Sequence, residues 1–139
     1  MRKLIRYNGN MGKKYTVLIV DDDKFLLELY KKKFEREGAQ MDVAVGSEEA
    51  LVKLRGGSSP DILILDIIMP NMDGIELLET IRKEKLVPNA VVIMLTNESS
   101  QDKIEQAKKL GIKGYIVKAT AIPTEVVEQA LKIANLETK

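Results

Sequence analysis

Three consecutive carboxylates, Asp21-Asp22-Asp23, follow directly on the apolar run Val17-Leu18-Ile19-Val20. A second apolar run, Ile62-Leu63-Ile64-Leu65, ends in the same way on Asp66. An apolar run that stops on a carboxylate places that group where a buried strand surfaces. If the two strands are neighbours in a parallel sheet, Asp21, Asp22 and Asp66 converge at one edge. Carboxylates about 5 Å apart repel by roughly 3 kcal/mol at an effective dielectric near 20. Such a cluster is a poor structural choice unless a cation sits in it, so the pattern predicts a divalent-metal site. Two further runs end on reactive groups, Val91–Leu95 on Thr96 and Gly114–Val117 on Lys118. Three carboxylates, a hydroxyl and an ammonium at one point suit phosphoryl transfer. Magnesium takes hard oxygen ligands and leaves positions for phosphate oxygens. Lysine and threonine can each hold a phosphoryl oxygen.

Composition narrows the chemistry further. A chain of 139 residues predicts one domain with a real core. Lys and Arg total 22 against 21 Asp and Glu, so a net charge of +1 gives no argument for nucleic acid or an anionic membrane. No apolar window is long enough to span a bilayer, and no secretory leader pattern is visible. Without cysteine there is no disulfide or thiolate chemistry, and a cytoplasmic location is the default expectation. Without histidine there is no imidazole catalysis, no serine or cysteine triad and no nitrogen-ligand zinc site.

The elements that must position these groups follow from periodicity. Candidate strands are Thr16–Val20, Met41–Val45, Asp61–Asp66, Ala90–Leu95 and Gly114–Val117. Their continuous apolar character fits parallel strands covered on both faces. Between them lie helical patterns. The first, Lys24 to Glu37, turns Leu27, Tyr30 and Phe34 inward, with Asp23 as its N-cap and Gly38 as its stop. Ser47 is expected to cap the second, which ends at Gly56-Gly57. The third follows Asp73-Gly74, and Ser99 with Asp102 resembles a capping box for the fourth. The fifth opens near Pro123. Five strand–helix units with short loops predict a flavodoxin-like, doubly wound α/β fold with a five-stranded parallel sheet in the order 2-1-3-4-5. That order puts the first and third strands side by side at the reversal point, where ligands collect. Residues 1–14, basic and without an acid, read as a loose extension ahead of a domain over residues 15–137.

VLIVDDD, DILILDIIMPNMDG, VVIMLTN and GYIVKA together resemble the receiver domain of bacterial two-component response regulators. The resemblance implies that Asp66 accepts a phosphoryl group from a phosphohistidine on a sensor histidine kinase or histidine phosphotransfer protein. It further implies direct Mg2+ ligation by Asp22 and Asp66, by Asp21 through water, and by the Ile68 backbone carbonyl. Thr96 and Lys118 would each bind a phosphoryl oxygen. Tyr115 matches the switch aromatic, whose ring moves inward when Thr96 is drawn to the phosphate. The fourth helix, fifth strand and fifth helix would then present a changed face to a downstream protein. No direct nucleic-acid or membrane partner is implied, and a stand-alone receiver without an output domain is expected, the alternative being a fragment of a larger regulator.

The match has departures. Proline commonly follows the lysine in this family, whereas Ala119 follows Lys118, leaving the path of that loop open between a cis and a trans bond. Asn97 is bulkier than the residue often found after the threonine. Ile68 offers no polar side chain to orient water, which predicts slow self-dephosphorylation; a phosphoryl lifetime of seconds on the purified protein would contradict this. Two rivals share parts of the pattern. A haloacid dehalogenase-like aspartyl-phosphate phosphatase expects a second acid where Ile68 stands, and a flavin binder would find its phosphate repelled by Asp21-Asp22-Asp23.

Overall fold

The computed structural model describes residues 5–7, 10–11, 15–97, 101–118, 121–134 and 137–138. In chain order the elements are β1 (Ile5–Tyr7), β2 (Asn10–Met11), β3 (Thr16–Asp21), α1 (Lys24–Arg36), β4 (Gln40–Val45) and α2 (Ser47–Arg55). They continue with β5 (Ile62–Asp66), α3 (Gly74–Lys83), β6 (Val91–Thr96), α4 (Gln101–Lys109), β7 (Gly114–Val117), α5 (Pro123–Ile133) and β8 (Glu137–Thr138). Five strands form one sheet in the order β4-β3-β5-β6-β7, parallel throughout. Counted among themselves these are 2-1-3-4-5, the topology that the unit count predicts.

Each central strand is buried on both faces, and its side chains divide between two cores by the strand's period of two. Val17, Ile19, Ile62, Ile64, Ile93, Leu95 and Ile116 pack with α1 and α5. Leu18, Val20, Leu63, Leu65, Val92 and Met94 pack with α2, α3 and α4. Each of these aliphatic side chains stabilises the fold by about 1.5–3 kcal/mol on burial. Register therefore matters, because a slip of one residue would exchange the two faces. A reciprocal clamp at the amino ends holds the register of β3 against β5. The Asp61 carboxylate accepts from the Thr16 backbone N–H at 2.8 Å, while the Asp61 N–H donates to the Thr16 hydroxyl at 3.0 Å.

Polar side chains satisfy free N–H groups at the starts of α1 and α3. Asp23 caps α1, its Oδ1 accepting from Phe25 and Leu26 N–H at 2.9 and 3.1 Å. Asp73 and Glu76 form a capping box on α3, at 2.9 and 3.1 Å. Ser47 departs from expectation. Gly46, at φ 90°, occupies the cap of α2, and Ser47 is a buried first-turn residue whose hydroxyl donates to the Met72 carbonyl at 2.8 Å. The hydroxyl is drawn away because the β5–α3 loop brings an acceptor to it. Ser99 and Ala119 lie outside the described residues, and with them the proposed cap of α4 and the Lys118-Ala119 bond.

The basic start of the chain is not wholly without elements. β1 pairs antiparallel with β2 and with β8, forming a small second sheet. The Tyr7↔Asn10 pairing leaves only Asn8-Gly9 between the strands, a dipeptide favoured in two-residue hairpins. That local signal was available; β8, from the other end of the chain, announces itself in no local pattern. Among the described residues no helix is long and apolar enough to cross a membrane.

Candidate functional site

The sheet register sets the level of each reactive group. Val20 pairs with Leu65, so Asp21 and Asp66 emerge side by side at the carboxyl ends of β3 and β5. Asp66 pairs with Leu95, which places Thr96 one residue further out, and Thr96 pairs with Val117, which places Lys118 next. Asp21, Asp22 and Asp66 each present a carboxylate oxygen within 4.8 Å of the others. Asp21 is fully buried, Asp66 is nearly so, and Asp22 faces solvent. This is a set of hard oxygen donors suited to a divalent cation. Asp23 stands apart from it, occupied as a helix cap.

Lys118 ties the cluster together. Its Nζ donates to Asp21 Oδ2 at 2.8 Å and to Asp66 Oδ2 at 3.2 Å. The other Asp21 oxygen accepts the Asp23 backbone N–H at 3.0 Å. The Ile68 backbone N–H faces the Asp66 carboxylate and favours its ionised form. One ammonium cannot balance three carboxylates. Burial first, and the charge of Asp21 second, push the Asp66 carboxyl up to about 6, with Lys118 opposing. For Lys118 itself burial is the largest influence and acts downward, but the hydrogen bonds and charges of Asp21 and Asp66 together outweigh it and raise it. A cavity of about 670 Å³ opens over the cluster, with Asp22, Lys24, Phe25, Ile68 and Asn97 on its walls.

The β5–α3 connection is built tightly against the Asp66 backbone. The Gly74 N–H donates to the Ile67 carbonyl at 2.8 Å, and a Cβ at Gly74 would stand 2.2 Å from the Asp66 carbonyl oxygen. Only glycine fits there. A family model for the response regulator receiver domain matches residues 17–131, the span of this sheet and its helices.

The chain belongs to the response regulator receiver domain family.

Its relatives include the chemotaxis protein CheY of Thermotoga maritima, 36% identical over 126 residues, covering 90% of this chain and 100% of that protein. The transcriptional regulatory protein ResD of Bacillus subtilis is 36% identical over 111 residues, 80% of this chain but 44% of its own length. The chain thus spans less than half of that longer regulator. Among solved structures, a CheY-like receiver domain protein from Methanospirillum hungatei superposes with a TM-score of 0.78 at 29% identity. That match covers 88% of this chain and 95% of the other.

Two groups of the receiver lie on the α4 side of the sheet. By the alternation along β6 and β7, Thr96 and Tyr115 fall on the face opposite to Leu95 and Ile116. The Thr96 hydroxyl is fully buried and donates to the Asn97 carbonyl at 3.0 Å. Tyr115 is 39% exposed, with Lys108 of α4 5.9 Å from its ring centroid. Of the sequence-predicted residues, then, Asp21, Asp22, Asp66 and Lys118 meet in one cluster with Ile68 and Asn97 on its rim, while Tyr115 stands outward. Tyr30 is one group that periodicity assigned only to the core. It is buried within electrostatic reach of Lys118, Asp21 and Asp66, and burial above all raises its pKa. Nothing in the i, i+3, i+7 pattern separates such a residue from an ordinary core position.

Proposed function

We propose that this receiver is a phosphorylation switch in which Asp66 takes a phosphoryl group from a phosphohistidine on a partner protein. Residues 1–139 contain no histidine, so the phosphohistidine lies outside them, on a sensor histidine kinase or a histidine phosphotransfer protein. The observation that carries this reading is the Lys118 bridge between Asp21 and Asp66 inside a cluster of three carboxylates.

In the reaction an Asp66 carboxylate oxygen attacks phosphorus. The new P–O bond forms as the P–N bond breaks, and the electron pair leaves on the imidazole nitrogen. Without a cation, burial and Asp21 hold the Asp66 carboxyl up at about 6, so it is ionised at neutral pH and available as the nucleophile. Asp22 and Asp66 would hold Mg2+ directly, with the Ile68 carbonyl as a further ligand. Asp21, whose two oxygens already accept from Asp23 and Lys118, would reach it through water. Bound there, the cation supplies charge neutralisation and orientation for the phosphoryl oxygens. Lys118 exchanges its contact with Asp66 for a phosphoryl oxygen. The Thr96 hydroxyl, released from the Asn97 carbonyl, donates to another. The space it vacates lies on the Tyr115 side of the sheet, which lets the ring turn inward and alters the α4–β7–α5 surface. Phe25 and Ile68, 73% and 54% exposed on the cavity walls, give the charged floor an apolar mouth suited to a protein donor.

Mass spectrometry of the chain treated with acetyl phosphate and Mg2+ tests the proposal. One phosphoryl adduct mapped to Asp66, and lost in Asp66→Asn, is expected. A label elsewhere, or rapid multiple turnover without an adduct, would refute it, and the second outcome would favour a phosphatase.

A further inference from the structure

The helices α3 and α4 are fastened to each other at both ends. At the far end, Arg82 in the last turn of α3 donates from Nε to the Leu110 carbonyl at 2.9 Å and from Nη2 to the Gly111 carbonyl at 3.3 Å. The Lys113 N–H then donates to Val92 at 2.8 Å, fixing the exit toward β7. At the near end, Lys103 Nζ meets Asp73 Oδ2 at 3.0 Å. Lys103 lies in the first turn of α4, where the helix dipole disfavours a cation, and the Asp73 carboxylate offsets that penalty. Asp73 in turn is the N-cap of α3, one residue before Gly74, whose backbone is packed on Asp66. A chain of direct contacts therefore runs from the Asp66 backbone through the α3 cap to the start of α4.

We propose that the Lys103–Asp73 ion pair is a latch that holds α4 in the unphosphorylated arrangement, with the Arg82 contacts as the pivot at the opposite end. The proposal rests on the phosphoacceptor reading of Asp66. In this structure the Thr96 hydroxyl is committed to the Asn97 carbonyl. Turning it toward a phosphoryl group on Asp66 releases the Asn97 carbonyl at the carboxyl end of β6, and Lys103 stands in the first turn of α4, the next described element. The far end of α4 is held by Arg82, so displacement falls on the near end and stretches the Lys103–Asp73 pair. The pair is half exposed, with side-chain exposures of 40% and 21%, so its bias is modest. Losing it favours the phosphoryl-bound arrangement by about two- to fivefold. Lys103 is thus a positioning residue that acts on the switch through Asp73.

Titration with beryllium fluoride in Mg2+, followed through the backbone amide resonances of Gly114–Val117, provides the test. Lys103→Met and Asp73→Asn, the latter keeping a capping side chain, should each lower the half-saturating concentration about two- to fivefold. The double variant should lower it no further, and Lys103→Arg should restore the wild-type value. Single variants that match wild type, or shifts that multiply in the double variant, would overturn the latch alone. A wild-type chain that gives no response dependent on Asp66, judged against Asp66→Asn, would overturn the phosphoacceptor reading and the latch with it.

Discussion

Asp66→Asn should stabilise the metal-free receiver at neutral pH, because the native fold strains to keep Asp66 ionised. The folded carboxyl is held up at about 6 against an ordinary 3.8, chiefly by burial and then by Asp21. Between these values the native state binds more protons than the unfolded chain, so stability falls as pH rises through that window. A rise from 3.8 to about 6 corresponds to about 3 kcal/mol, present as a deficit above pH 6. Asparagine keeps an acceptor for Lys118 and has no charge to desolvate. In a domain of this size the gain amounts to a melting-temperature rise on the order of 10 °C. Thermal and urea denaturation from pH 4 to 8 in EDTA, wild type beside Asp66→Asn, measures it. The difference must be taken between the two proteins, since other carboxylates slope the opposite way. Asp73 is one: burial alone would raise it, but the Glu76 N–H and Lys103 outweigh that and lower it, so its contribution is lost as pH falls. A gap between the two proteins that stays constant or narrows as pH rises from 4 to 6.5 would refute the reasoning.

Three further outcomes test other parts of the structure. Millimolar Mg2+ should raise the wild-type melting temperature by neutralising the cluster, and Asp22→Ala should abolish the rise; a rise that survives in the variant would remove Asp22 from the site. Gly74→Ala should destabilise by about 3 kcal/mol, the upper end of overpacking costs, because its Cβ would stand 2.2 Å from the Asp66 carbonyl oxygen. Chemical denaturation would show it, and wild-type stability in the variant would mean that the loop yields freely. Among the described residues the buried Tyr15 hydroxyl has no hydrogen-bond partner, and burial pushes its pKa up, so Tyr15→Phe should stabilise by about 1–3 kcal/mol in the same assay. A loss of stability would reveal a partner for it.

What was legible in the sequence is what repeats or punctuates locally. The continuous apolar runs gave the strands because both faces of a parallel sheet are buried, and their terminal residues gave Asp21, Asp66, Thr96 and Lys118 because strands surface at a common edge. The α1 cap at Asp23 was legible because an aspartate preceding a helix has one nearby use. Ser47 was not, since its partner, the Met72 carbonyl, is 25 residues away and a nearer role was chemically plausible. The Lys103–Asp73 pair, the reach of Tyr30 to the site and the pairing of β1 with β8 are likewise products of tertiary placement. The present direction of the Thr96 hydroxyl is a conformational choice that residue type leaves open.

The resting site is assembled against its own electrostatics, which suits the proposed switch. Carboxylate oxygens within 4.8 Å of one another repel by about 3 kcal/mol at an effective dielectric near 20, and Lys118 relieves only part of this. The clamp of Asp61 on Thr16, at the opposite end of the same strands, keeps Asp21 and Asp66 from drifting apart to escape it. A site that relaxed around its charges would respond to a cation or a phosphoryl group by small local motion alone. A rigid one transfers the change in charge to whatever can still move. In the proposed switch the groups that respond are the Thr96 hydroxyl, the outward Tyr115 ring and the near end of α4, all on one face of the sheet. The destabilised Asp66 is thereby coupled to the proposed displacement of α4: a second-site change that lets β3 and β5 separate should lessen the Asp66 deficit and the response at Gly114–Val117 together.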